Sequence, residues 1–178
     1  DSAASATSIA TGVKTYNGAI GMDLNGKPVP TVLEMAKNMG KSTGLVTTSQ
    51  VTAATPAAFA AHVKNRSDQS EIARQYLENT QPDVILGGGE DYWYPTGNPG
   101  KFEDQPAEDP SEGSKGTQGN LVEKAQKLGY TYVTNGEELK QAKGSRILGL
   151  FANEEMFQQN TEENGGNYNP SVSLADMT

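Results

Sequence analysis

Two stretches of this chain carry residue types that could do phosphoryl or acyl chemistry. The first is DSAASATSIATGVKT, Asp1 to Thr15, in which Asp1 and Ser2 lead an alanine-rich run with five hydroxyls between Ser2 and Thr11. The ordinary role for a Ser or Asp there is to cap a helix. The same position also suits chemistry, because a helix start presents amides and a partial positive end to an anion such as phosphate. Small neighbours keep the Ser2 hydroxyl accessible, but serine attacks only when a base or a metal lowers its proton affinity. The second stretch is TAATPAAFAAHVKNR, Thr52 to Arg66. Here Thr55 is expected to cap a helix begun by Pro56. Arg66 falls just past that helix. A lone arginine is usually solvated or ion-paired, whereas a guanidinium facing a helix start makes a bidentate phosphate clamp.

Two other features point less sharply. His62, the one histidine of the chain, could serve as general base to Ser2 in a Ser-His-Asp hydrolase. No G-x-S-x-G elbow accompanies it, and its alanine-rich surroundings suit a structural histidine. Gly87-Gly88-Gly89 follows an apolar strand and either lets backbone approach a ligand or makes a tight turn. It has neither the G-x-G-x-x-G spacing nor a P-loop lysine.

These residues need a scaffold, and the hydrophobic pattern supplies one. Ser42–Thr48, Asp83–Leu86 and Arg146–Phe151 read as short buried strands of parallel type, and Tyr130–Thr134 as a more exposed one. Helical spacing appears over Val32–Met39 with Gly40 as terminator, and over Pro56–Lys64, Ser70–Asn79, Asn120–Leu128 and Gly136–Ala142. Strands alternating with helices predict an α/β layered fold with a mainly parallel sheet flanked by helices, in a single domain over 1–178. The stretch Gly87–Gly119 reads as a surface excursion. Its aromatics Tyr92, Trp93 and Tyr94 should pin its start, and 97–116 should stay mobile and exposed, because its charges and prolines bury too little apolar surface. Gln158–Pro170 reads as a second polar loop.

Composition narrows the partners. Net charge is −8, with three arginines and no basic cluster, so nucleic-acid binding is not expected. There are no cysteines, hence no disulfides and no thiolate metal site. No apolar run reaches the roughly 18 residues needed to span a membrane, and no signal peptide is recognised.

Taken together, three blocks resemble alkaline phosphatases. DSAASATSIATGVKTYNGAIGMD (Asp1–Asp23) resembles that family's nucleophile region, GLVTTSQVTAATPAAFAAHVKNR (Gly44–Arg66) its next block, and DVILGGGEDYW (Asp83–Trp93) a third. Order and approximate spacing agree, and beyond Trp93 the chain is similar in pattern only. The resemblance implies a partial alkaline-phosphatase-like layered fold and phosphate monoester hydrolysis through a phosphoserine. It implies Ser2 as nucleophile and zinc ligand, Asp1 as the residue orienting Arg66, Arg66 as phosphate clamp, and Thr55 as a hydroxyl ligand of magnesium. Two zinc ions would complete the site. It also implies a possible homodimer and an extracellular or periplasmic location. Ala53 stands where relatives often carry Asp or His, which removes a polar group beside the magnesium. The family's zinc ligands would lie before Asp1 and after Thr178. The resemblance therefore makes the chain a fragment of a larger enzyme, expected to be inactive alone. The rival expectation is a non-catalytic α/β module that binds an anion or a partner protein.

Overall fold

The computed structural model describes residues 1–104, 113–156 and 170–178. The expected loop Gln158–Pro170 and the centre of the 87–119 excursion lie outside these, apart from Pro170. The chain forms two compact units, one of residues 1–44 and 52–83, the other of residues 45–51 and 84–178.

The first unit is helical: α1 is Ser2–Thr11, α2 Val32–Asn38, α3 Ala54–Ala60 and α4 Gln69–Gln75, the last continuing into one π-turn, Tyr76–Thr80. Helix α1 stops at Gly12, whose φ of 74° and N–H bond to the Ser8 carbonyl close the last turn. It packs along α3, and both bury alanines: Ala3, Ala6 and Ala10 on one, Ala54, Ala57, Ala58 and Ala60 on the other. Side chains this small let the two backbones approach closely. Helix α2 starts at a capping box in which Thr31 Oγ1 accepts the Glu34 N–H and Glu34 returns to the Thr31 N–H at 2.7 Å.

The second unit carries the sheet. Strands β1 (Gly44–Gln50), β2 (Val84–Gly88), β3 (Thr131–Val133) and β4 (Ile147–Leu150) lie in the order β1-β2-β4-β3. The sheet is parallel, with Val84 opposite Ile147 in β2–β4 and Thr131 opposite Ile147 in β3–β4. Helices α5 (Leu121–Lys127), α6 (Gly136–Gln141) and α7 (Leu174–Met177) belong to this unit. Leu86, Val133, Phe151, Ala152, Met156, Val172 and Met177 form a buried cluster against the sheet. Gly87 and Gly88 prove to be packing residues inside β2. A Cβ on Gly87 would stand 2.8 Å from Thr47 and Val51 side-chain carbons, and one on Gly88 2.0 Å from the Glu154 carbonyl.

The excursion after β2 is tied down by two adjacent buried carboxylates. Glu90 accepts the N–H groups of Lys101 and Phe102 and the Tyr132 hydroxyl, the last at 2.6 Å. Asp91 accepts the Gly113 N–H at 3.2 Å, and its backbone carbonyl takes the Lys115 N–H at 2.9 Å. Trp93 is fully buried, so the aromatic start packs as the sequence suggested. Residues 97–101 are exposed, but Ser114 and Gly116 are buried. The returning limb thus differs from the expected exposed one, because Lys115 reaches Glu154 at 3.0 Å and Gly116 donates to the Tyr94 carbonyl. The sequence pattern of that limb, polar and glycine-rich, hides backbone anchoring of this kind.

Burial pushes the Asp91 carboxyl up to about 6, against the Gly113 hydrogen bond and the Lys115 charge that lower it. Its Oδ1 has no hydrogen-bond partner among the described residues. The native state therefore holds a proton on Asp91 between about pH 4 and 6 that the unfolded chain has released. Stability from this group falls as pH rises through that window, by up to about 3 kcal/mol, and is level above it. Urea unfolding measured from pH 4 to 7 should show that decline, and Asp91→Asn should flatten it.

Candidate active site

Asp1 is the cap of α1. Its Oδ1 accepts the Ala4 N–H at 3.0 Å, and its main-chain carbonyl accepts the Ser5 N–H. Ser2 is therefore the first residue of a ten-residue helix, exposed at the positive end of the helix dipole. The cap fixes the direction of the first turn and with it the Ser2 side chain.

Arg66 arrives from the other end of the unit's sequence. The segment after α3 runs antiparallel to residues 18–22, with Ile20 and Val63 exchanging N–H···O bonds of 3.0 Å in both directions. Past this bridge the Arg66 N–H donates to the Gly18 carbonyl at 2.8 Å. Its guanidinium then reaches Ser2: Nη1 donates to Ser2 Oγ at 2.6 Å. Asp1 Oδ2 lies 3.9 Å from the same Nη1, a distance at which it orients the guanidinium by charge without a hydrogen bond. The pair is partly solvated, so its worth to stability is small. The structure brings Asp1, Ser2 and Arg66 together at one helix start, where an anion would meet a hydroxyl, a guanidinium and the helix dipole.

Thr55 differs from its expected place. The cap position of α3 is taken by Ala53, which has no side-chain acceptor, and Thr55 is exposed in the first turn rather than capping it. Pro56 is correspondingly the third helical residue and not the first; it still costs no internal bond, since N–H groups of the first turn lack helical partners. An alanine in the cap position lets the helix begin two residues early, because the extended backbone of Ala53 serves without a side chain. Among the described residues, no three His, Cys, Asp or Glu side chains gather where they could hold a metal. Ser2 and Thr55 are single hydroxyl donors, so the side chains described here do not complete a zinc or magnesium site.

His62 is no base to Ser2. Its Nδ1 contacts the Gly21 carbonyl at 2.7 Å and its Nε2 contacts Glu34 Oε1 at 3.0 Å, so both nitrogens are engaged in tying α2 to the 18–22 segment. Glu34 is partly buried, which opposes ionisation, but bonds from His62 and the Thr31 backbone hold its carboxyl below the usual range. Gly21 is required by this contact: a Cβ there would lie 2.3 Å from the Ala61 carbonyl and 2.6 Å from His62 Nδ1. Glu34 and Gly21 are functional here although neither is among the residues the sequence singles out. The T-x-x-E spacing at Thr31–Glu34 was the available signal for the first; the second had none short of the fold.

The comparisons with known proteins agree with one another. The alkaline phosphatase family model matches residues 1–178. Alkaline phosphatase 4 of Bacillus subtilis is 44% identical over 157 residues, covering 85% of this chain and 30% of that protein. The crystal structure of Thermus thermophilus alkaline phosphatase superposes with a TM-score of 0.78 at 31% identity, covering 99% of this chain and 33% of that one. A variant of TAB5 alkaline phosphatase with magnesium bound superposes at 0.69 and 30% identity, covering 98% of this chain and 45% of that one. The chain spans about a third of the length of the first two.

The cap contributes a measurable amount. Asp1→Ala is expected to lower stability by about 1 kcal/mol, the usual cost of losing a helix cap. The shift should appear in the urea midpoint with an unchanged slope.

Proposed function

Because the chain belongs to the alkaline phosphatase family, we propose that it carries the phosphate-handling part of a phosphate monoester hydrolase, with Ser2 as nucleophile. The observation that supports this reading is the 2.6 Å contact of Arg66 with Ser2 Oγ at the start of α1. A guanidinium donating to Oγ leaves the hydroxyl proton free to depart elsewhere and favours the oxyanion that remains. An arriving phosphate monoester would take over the Arg66 N–H groups, bringing phosphorus next to the Ser2 oxygen. Attack forms the Ser2 O–P bond as the ester P–O bond breaks, and the alcohol leaves. Water then cleaves the phosphoserine and restores the Ser2 hydroxyl. Through both steps Arg66 and the amides of α1 hold the equatorial phosphoryl oxygens, and Asp1 keeps the guanidinium aimed.

Zinc and magnesium, when bound, would supply a lowered proton affinity at the serine and at water and shield the phosphoryl charge. Ser2 and Thr55 are proposed as one oxygen ligand each, and the other ligands as residues from beyond this sequence. Ala53 leaves the magnesium position without an acidic or imidazole neighbour, which should weaken its hold on that ion. Pairing into a dimer and a place outside the cytoplasm belong to the same reading. Among the described residues, no helix is long and apolar enough to cross a membrane.

The test uses two proteins. The 178-residue chain alone, with zinc and magnesium added, should hydrolyse p-nitrophenyl phosphate no faster than buffer. A chimera in which the chain replaces the matching segment of a full-length relative should turn over and should trap a phosphoserine at Ser2 at low pH. In that chimera Ser2→Ala should lower kcat by roughly four orders of magnitude or more, and Arg66→Ala by about two to three. Unchanged turnover in the Ser2→Ala chimera would refute the assignment.

A further inference from the structure

Gly18 lies in the Asp1–Asp23 block without a role assigned to it there, yet this one residue touches both halves of the site. Its N–H donates to Asp1 Oδ1 at 3.1 Å, the same oxygen that caps α1 through the Ala4 N–H. Its carbonyl accepts the Arg66 N–H at 2.8 Å. We infer that Gly18 is a positioning residue for the Ser2–Arg66 pair: its backbone sets how far the arginine stands from the serine. The inference rests on reading that pair as nucleophile and phosphate clamp.

The chemistry of the pair explains why such a residue is needed. An arginine side chain is long and has several rotatable bonds, so the guanidinium is placed only as well as its own backbone is placed. Arg66 is anchored at its own N–H, the nearest main-chain group to the root of the side chain. Asp1 is likewise anchored one residue before Ser2. Both anchors end on Gly18, so an error in one is shared by the other and the separation between them is conserved.

The identity of the residue is set by conformation and not by room. Gly18 has φ of +86°, a region that L side chains seldom adopt. A Cβ placed on it would meet no atom within 4 Å. Substitutions should therefore rank by their tolerance of positive φ. Asn accepts it best, Ala less well, and a β-branched Val worst. A residue wanted only to fill or vacate space would rank by size instead, with Asn penalised more than Ala.

The order Gly18, Asn, Ala, Val is the test, read by nuclear magnetic resonance on the 178-residue chain. The readout is hydrogen exchange of the Arg66 guanidinium, identified because Ser2→Ala abolishes its protection. Gly18→Asn should exchange within about twofold of wild type, Gly18→Ala several-fold faster, and Gly18→Val at least tenfold faster. Amide signals of Ile72 and Leu77 in the same unit should stay put. Exchange that is unchanged in Gly18→Ala and Gly18→Val overturns the inference, as does a ranking by size. Should Gly18→Val unfold, the Asn and Ala variants decide the matter by their order. Titration of wild type with inorganic phosphate tests the underlying reading separately. If phosphate moves neither the Ser2 nor the Arg66 signals, the clamp assignment fails, and the exchange ranking still decides the positioning role. In the chimera Gly18→Ala should lower kcat and weaken inhibition by inorganic phosphate together, with p-nitrophenol release still abolished by Ser2→Ala.

Discussion

The candidate site depends on one short antiparallel contact, the exchange of hydrogen bonds between Ile20 and Val63. Side chains alternate along extended backbone, and a slip of one residue would turn Arg66 away from α1. Three features hold the register. Ile20 and Val63 are both buried, so the apolar sides of the two segments agree. Gly21 admits the Ala61 carbonyl and the His62 ring at distances no side chain would allow. The His62 ring then bonds the Gly21 carbonyl itself. Each of these fixes the same register by a different physical means, by burial, by sterics and by hydrogen bonding.

Around this contact lies a polar network whose members are satisfied in pairs. Glu34 closes the cap of α2 with one oxygen and meets His62 with the other. The Thr31 hydroxyl gives its proton to the Phe59 carbonyl near the end of α3. Gln75 on α4 bonds the main chain of His62 in both directions, accepting its N–H at 2.8 Å and donating to its carbonyl at 3.0 Å. Two helices, α2 through Glu34 and α4 through Gln75, thus converge on His62. Partly buried polar groups are costly only when left without partners, so the network adds directional restraint to an alanine-rich interface that would otherwise slide. The alanines of α1 and α3 supply closeness and the network supplies the register.

Much of this was legible in the sequence, and the illegible parts share a cause. The strands were found because their apolar runs are short and bounded by polar turns. The placement of Ser2 at a helix start followed from an acidic residue before an alanine run. Arg66 could be paired with it because the resemblance linked two blocks far apart in the chain. The helix at Thr55 begins two residues before the start its residue types suggest, since Ala53 caps by backbone shape alone and leaves no mark in residue type. The returning limb at 113–116 departs from its composition for a related reason: main-chain hydrogen bonds to Asp91 and Tyr94 hold it, and residue types do not report them. Gly18 and Gly21 look alike in the sequence, yet one is needed for its φ and the other also for the space its missing Cβ leaves.

The bond from Arg66 to Ser2 joins residues 64 apart, and the bond from Gly18 to Asp1 joins residues 17 apart. Helix α1 supplies Ser2 and its cap Asp1, and the other partner of each bond lies outside any helix. Loop-closure entropy grows only slowly with length, so closing the longer loop after the shorter costs roughly one further kcal/mol. The shorter loop costs less to close, and it positions the Gly18 carbonyl that accepts the Arg66 N–H. The helix start is a local structure and the Arg66 contact a distant one, so a partly folded chain can hold its serine at a helix start without the cation beside it. The pairing of the two is then a marker of completed folding in this unit, and an anion that grips both would draw its affinity from the folded population alone.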